Sequence, residues 1–204
     1  MNPNKALWEK GDFTRIAESM RGSGEALVKG LGITKGLKVL DLGCGDGTTA
    51  LPEARLGADV LGVDIARSLV EAGNKRAQEE GLTNCKFQEG DASNLHELKA
   101  HTFDLVVSIF GAMFAPKPFD VAKETVRVTR SGGRIVMGNW IPNDPTLVAY
   151  ALPLRLINSE YHDTQVASAL RRDVCLWHKS SSIMVTGRSR VLRLGELTAV
   201  ISTR

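Results

Sequence analysis

The stretch Val39–Ala50, VLDLGCGDGTTA, constrains the fold of this 204-residue chain more than any other. A short apolar run meets Gly43, Gly45 and Gly47 at alternate positions. A second run, Ala58–Ala66 (ADVLGVDIA), ends in the carboxylate of Asp64. Glycine directly after a strand admits positive φ and lets a ligand reach the backbone without meeting a Cβ. Three glycines exceed what a tight turn requires, so the loop is expected to face a ligand.

The surrounding pattern fixes the fold class. Strand-like runs at 37–43, 58–64, 85–91, 103–112 and 131–140 alternate with helical ones such as SLVEAGNKRAQEEGL, stopped at Gly81, and FDVAKETVRVTR. Repeated βα units of this length imply parallel strands with right-handed crossovers, hence an α/β, doubly wound, mostly parallel sheet. Residues 1–32 read as an N-terminal helical cap, expected to divide into two helices at Gly22 and Gly24. Residues 33–145 form the main domain, and residues 146–204 are an atypical basic segment. In that segment, eight Lys/Arg stand against four Asp/Glu from residue 150 onward. There SSIMVTGR and RLGELTAVIST are expected to pair as a diverged closing hairpin. The competing expectation is a tail that leaves the edge of the fifth strand poorly covered.

In a doubly wound sheet, ligands lie beyond the carboxyl ends of the strands where strand order reverses. The first strand is central in such folds, which puts Gly43–Gly47 at that crevice. The order G-x-G-x-G departs from the dinucleotide fingerprint G-x-G-x-x-G, because Thr48 stands at the third glycine. Asp46 adds a negative charge where a pyrophosphate would lie. A cationic, phosphate-free nucleoside fits better. Asp64 ends the second strand, where a carboxylate can accept from both ribose hydroxyls. Asp91 ends the third, within reach of an exocyclic adenine amine, although Asp before a helix also serves as a cap.

These segments, together with FQEGDAS, FDLVVSIFGAMFAP and RVTRSGGRIVMGNW, resemble the class I S-adenosylmethionine-dependent methyltransferases. WEKGDFTRIA and FGAMFAP resemble the branch near the ubiquinone/menaquinone-type enzymes. The resemblance implies a Rossmann-like methyltransferase fold with S-adenosyl-L-methionine as cofactor. It places Asp41 and the backbone of Gly43, Cys44, Gly45 and Gly47 around the methionine portion. Asp64 would hold the ribose with Ile65 against the adenine, while Asp91 and Ala92 meet the adenine edge. The end of the fourth strand, Ser108–Phe110, closes the pocket, and the helix containing Phe13 and Arg15 lids it.

Methyl transfer needs no dedicated acid or metal, so no catalytic residue and no metal ligand is assigned. Phe110, Met113, Phe114 and Trp140 cluster near the expected crevice as an apolar acceptor pocket, with Phe13 and Arg15 beside them. His96 and His101 read as surface residues. The fourth strand lacks an Asn/Asp-Pro-Pro-aromatic motif, and the body carries no basic field, which excludes nucleic acid as the expected partner. A small organic methyl acceptor remains. Three cysteines without close spacing suit a reducing cytoplasm, and no run is long and apolar enough for membrane insertion. Two alternatives stand beside this reading. One is an S-adenosylmethionine-binding domain with a defective acceptor pocket. The other is an NAD-dependent oxidoreductase, disfavoured by Thr48 and Asp46.

Overall fold

The computed structural model describes residues 2 and 4–138, together with the backbone of Ser182–Thr186, Arg190–Leu194 and Leu197–Ile201. Trp140 and most of the basic segment from residue 146 onward lie outside the described residues.

Strands β1 (Lys38–Leu42), β2 (Asp59–Asp64), β3 (Cys85–Glu89), β4 (Phe103–Ile109) and β5 (Thr129–Gly138) are parallel neighbours in the order β3-β2-β1-β4-β5. Helices α1 (Lys5–Trp8), α2 (Phe13–Gly30), α3 (Ala50–Arg55), α4 (Arg67–Glu79) and α5 (Pro118–Val128) connect and cover them. The period of two along each strand divides the core between the faces. Val39, Val60, Leu105, Val107 and Val136 join Leu27, Val28 and Leu51 in one cluster. Leu40, Leu42, Val106, Ile135 and Met137 meet Val121 and Val128 of α5 in the other. Burial on both faces explains why β4 is almost continuously apolar.

Two expectations need correction. Helix α2 runs unbroken through Gly22 and Gly24, and the interruption falls earlier, between Trp8 and Phe13. Gly24 is buried because α2 packs closely there: a Cβ would sit 2.6 Å from the Thr48 carbonyl oxygen. Thr48 thus packs against a glycine of the neighbouring helix rather than being one itself.

The second correction concerns the tail. Strand β6 (Ser182–Thr186) pairs antiparallel with β5, so the outer edge of β5 is covered. Its other neighbour, β8 (Leu197–Ile201), lies parallel to it, so these two are not a hairpin. The hairpin is β7 (Arg190–Leu194) with β8, closed by the pair Leu194↔Leu197. The sequence RVLRL sets its two arginines three residues apart, out of step with a strand's period of two, and this concealed a strand. Among the described residues, no helix is long and apolar enough to cross a membrane.

Candidate functional site

The three loop glycines have separate physical reasons. Gly43, Gly45 and Gly47 all take positive φ (66°, 55° and 93°). A Cβ on Gly43 would lie 2.5 Å from Gly111 Cα, where the ends of β1 and β4 nearly touch. A Cβ on Gly47 would lie 2.8 Å from Phe87 Cζ, a ring that also fills against Gly62 and Gly73. A Cβ on Gly45 would meet nothing within 4 Å. Packing therefore accounts for the first and third glycines, and Gly45 alone borders open space.

Asp64 is tied to that position. Its Oδ2 accepts from the Gly45 amide at 2.9 Å, and its Oδ1 from the Ala66 amide at 2.9 Å. Burial raises its pKa, opposed by amide bonds from Ala66, Gly45 and Ile65. The Gly45 and Ala66 bonds take one lone pair on each oxygen and leave a second on each, near which the Ile65 amide also lies. Ile65 is half-buried next to it.

Asp41, at the end of β1, is 1% exposed and accepts from the Thr49 hydroxyl, while its Oδ1 has no partner among the described residues. Burial, with Asp64 adding repulsion, raises its pKa to about 7. Glu53 of α3 is fully buried, neither of its oxygens has a partner among the described residues, and burial pushes its pKa well above the usual range. An acid raised in the folded state binds more protons there than in the unfolded chain, so stability declines as pH rises between the two values. For Asp41 that window runs from 3.8 to about 7. The ligand-free protein is expected to be more stable at pH 5.5 than at pH 8 by about 2–4 kcal/mol. Urea midpoints at the two values measure this.

Asp46 corrects the expectation of an exposed loop charge. It is 1% exposed, and its Oδ2 faces Arg21 of α2 at 3.0 Å and Arg76 of α4 at 3.4 Å. The carboxylate is neutralised on the helix side, so its charge does not argue against a pyrophosphate; the departure at Thr48 still does. Cys44 and Cys85 are buried and unpaired. Burial leads the rise of both thiol pKa values, Cys85 to about 12, which keeps them inert.

The far side of the crevice is built from the loops after β3 and β4. Asp91 accepts from the Ser93 amide (2.9 Å) and hydroxyl (2.8 Å), and from the Asn2 carboxamide (3.0 Å). Burial alone would raise its pKa, but these hydrogen bonds bring it below the ordinary value. Ala92 is half-buried alongside. Ser108 links the ends of β1 and β4: its hydroxyl donates to the Leu42 carbonyl at 2.6 Å and accepts from the Ala112 amide at 2.9 Å. Phe110 follows with φ of 56°, a left-handed conformation that costs a non-glycine residue about 1–2 kcal/mol. Met113 is buried, and Phe114 packs on Trp8 with ring centroids 5.2 Å apart. Trp8 in turn meets Phe13 at 4.9 Å. Arg15, two residues after Phe13 on the same helix, is exposed.

A sequence model of the methyltransferase domain matches residues 33–185. The chain belongs to the methyltransferase domain family. An uncharacterised Mycobacterium tuberculosis protein is 39% identical over 138 residues, 67% of this chain and 50% of that protein. The demethylmenaquinone methyltransferase of a Geobacillus species is 34% identical over 129 residues, 62% of this chain and 54% of that one. A Methanococcus maripaludis structure assigned to the S-adenosyl-L-methionine-dependent methyltransferases shares the fold with a TM-score of 0.66 at 17% identity. That match covers 92% of this chain and 89% of the other. The chain spans about half the length of the curated relatives it matches.

The methyltransferase domain brings Asp41, Gly43–Gly47, Asp64, Ile65, Asp91, Ala92 and Phe110 to the carboxyl ends of β1–β4. Open space at Gly45, the orphaned Asp41 Oδ1 and the spare lone pairs of Asp64 fit a polar nucleoside carrying positive charge. Asn2, Asn4 and Trp8 were missed by sequence reasoning. Two asparagines in a short N-terminal stretch carry no periodicity, and only the fold reveals what they reach.

Proposed function

We propose that this domain binds S-adenosyl-L-methionine and transfers its methyl group to a small, largely apolar organic molecule. The observation that carries the reading is Gly45, whose open side lies at the point where strand order reverses, with its amide held by Asp64. When bound, the cofactor supplies an electrophilic methyl on a sulfonium leaving group. The Gly43–Gly47 backbone brackets its amino-acid portion, with Asp41 beneath. Asp64 accepts from the ribose hydroxyls, and Asp91 accepts from the adenine amine, with Ile65 and Ala92 against the base.

Phe110, Met113 and Phe114, with Phe13 and Trp8 facing them, form the wall that receives the acceptor and excludes water. Trp140 joins that wall as an expectation from sequence, and Arg15 remains a candidate for a polar acceptor group at its rim. Holding the acceptor in line with the methyl carbon can supply ~7–11 kcal/mol, so positioning alone accounts for catalysis without an assigned base. The demethylmenaquinone methyltransferase relative supports an apolar ring-bearing acceptor. The unpaired Cys44 and Cys85 support a reducing, cytoplasmic setting.

Incubation with methyl-labelled cofactor and a panel of small phenols, quinols and amines tests the reading. Release of S-adenosylhomocysteine with label in an acceptor is expected. Tight cofactor binding with no turnover on any acceptor would leave a binding domain and overturn the enzymatic part.

A further inference from the structure

The N-terminal segment lies across the mouth of the proposed cofactor crevice. Asn2 Oδ1 accepts from the Asn4 amide at 3.0 Å, which orients the carboxamide so that its Nδ2 donates to Asp91 Oδ2 at 3.0 Å. Asn4 Nδ2 donates to the Phe114 carbonyl at 2.9 Å. Lys5 pairs with Glu89, which Arg67 also holds at 3.1 Å. Trp8 then packs between Phe13 and Phe114. One short stretch thus joins the loop after β3 to the loop after β4, and in the sheet the ends of β2 and β1 lie between these two.

A primary carboxamide presents an NH2 donor on an sp2 carbon next to an acceptor. The amino edge of adenine presents the same pair. We infer that Asn2 occupies Asp91 in place of the adenine amine, making residues 2–8 a strap that the cofactor must displace from that carboxylate. This rests on the assignment of Asp91 to the adenine edge under the proposed function.

A closed strap lowers apparent affinity by the fraction of molecules that are open, so releasing it tightens binding without any new contact. Lys5, Asn4 and Trp8 retain their own partners, so removal of the Asn2 contact leaves the segment docked beside the crevice while freeing Asp91.

Calorimetric titration of the full chain with S-adenosylhomocysteine, which carries no sulfonium charge, tests this with three variants. Asn2→Ala is expected to bind about three- to tenfold more tightly than the parent. Asn2→Asp, which sets two carboxylates against each other, is expected to bind at least as tightly as Asn2→Ala. Asp91→Ala is expected to bind about tenfold or more weakly. An Asn2→Ala affinity equal to or below the parent's, with Asp91→Ala still weak, would overturn the strap and leave the adenine assignment standing. An unchanged Asp91→Ala would overturn both.

Discussion

Asp64→Ala is expected to weaken S-adenosylhomocysteine binding by about 100-fold or more. A hydrogen bond to a charged group contributes about 1.5–3 kcal/mol, and the Asp64 carboxylate is assigned two ribose hydroxyls. It also holds the Gly45 and Ala66 amides, so its removal loosens the loop assigned to the amino-acid portion of the cofactor. Asp64→Asn separates the two effects. The amide keeps one acceptor of similar shape, so the loop is retained, yet it turns an NH2 group on one of its donors. Intermediate binding is expected, with thermal stability between those of the parent and Asp64→Ala, since one buried amide loses its acceptor. Asp64→Ala binding within a few fold of the parent would remove the ribose assignment.

The second large effect separates two glycines only two residues apart. Gly43→Ala places a methyl 2.5 Å from Gly111 Cα and 2.8 Å from its carbonyl carbon, and both of those are backbone atoms. Relief requires β1 and β4, central in the sheet, to move apart, and the left-handed φ adds its own cost. A loss of about 4 kcal/mol or more is expected, enough to unfold a marginal domain. Gly45→Ala meets no neighbour and bears only the strain of φ 55°, about 1–2 kcal/mol. That variant is expected to fold while losing cofactor affinity, because its methyl enters the open side of the loop. Denaturant midpoints and titrations on the two proteins, side by side, check the pair. Equal destabilisation would mean that Gly45 has no special place.

The parallel sheet was legible because its signals are local. Short strand-like runs, glycine stops and helical periodicity each fix one element, and right-handed crossovers leave few ways to arrange them. The placement of Asp41, Asp64 and Asp91 at or beside strand ends was legible for the same reason. Contacts between distant segments were not. Nothing near Asp46 in sequence announces Arg21 and Arg76, which come from two different helices and turn an apparent loop charge into a buried ion pair. Gly24 reads as a helix breaker until Thr48 is seen against it. Asn2 has no reading at all without Asp91, 89 residues away. In the tail, β7 was hidden because its arginines, three residues apart, break the period of two, and its pairing with β8 shows in backbone register alone.

Glu53 shows the same limit from the opposite direction. Its place in ALPEARLG suggests an ordinary surface residue of a short helix, yet it is fully buried beside Asp41. A carboxylate there would cost several kcal/mol of desolvation, so burial favours the neutral acid. Burial raises both acids in the folded state, so each contributes stability that declines as pH rises, which is the electrostatic basis of the stability profile expected between pH 5.5 and pH 8.

Titration calorimetry of the unmodified chain with S-adenosyl-L-methionine addresses the seat of the nucleoside most directly. One site with micromolar affinity is expected, competed by S-adenosylhomocysteine and untouched by NADH. A folded sample that gives no binding heat with either adenosyl compound, at several temperatures, would contradict it.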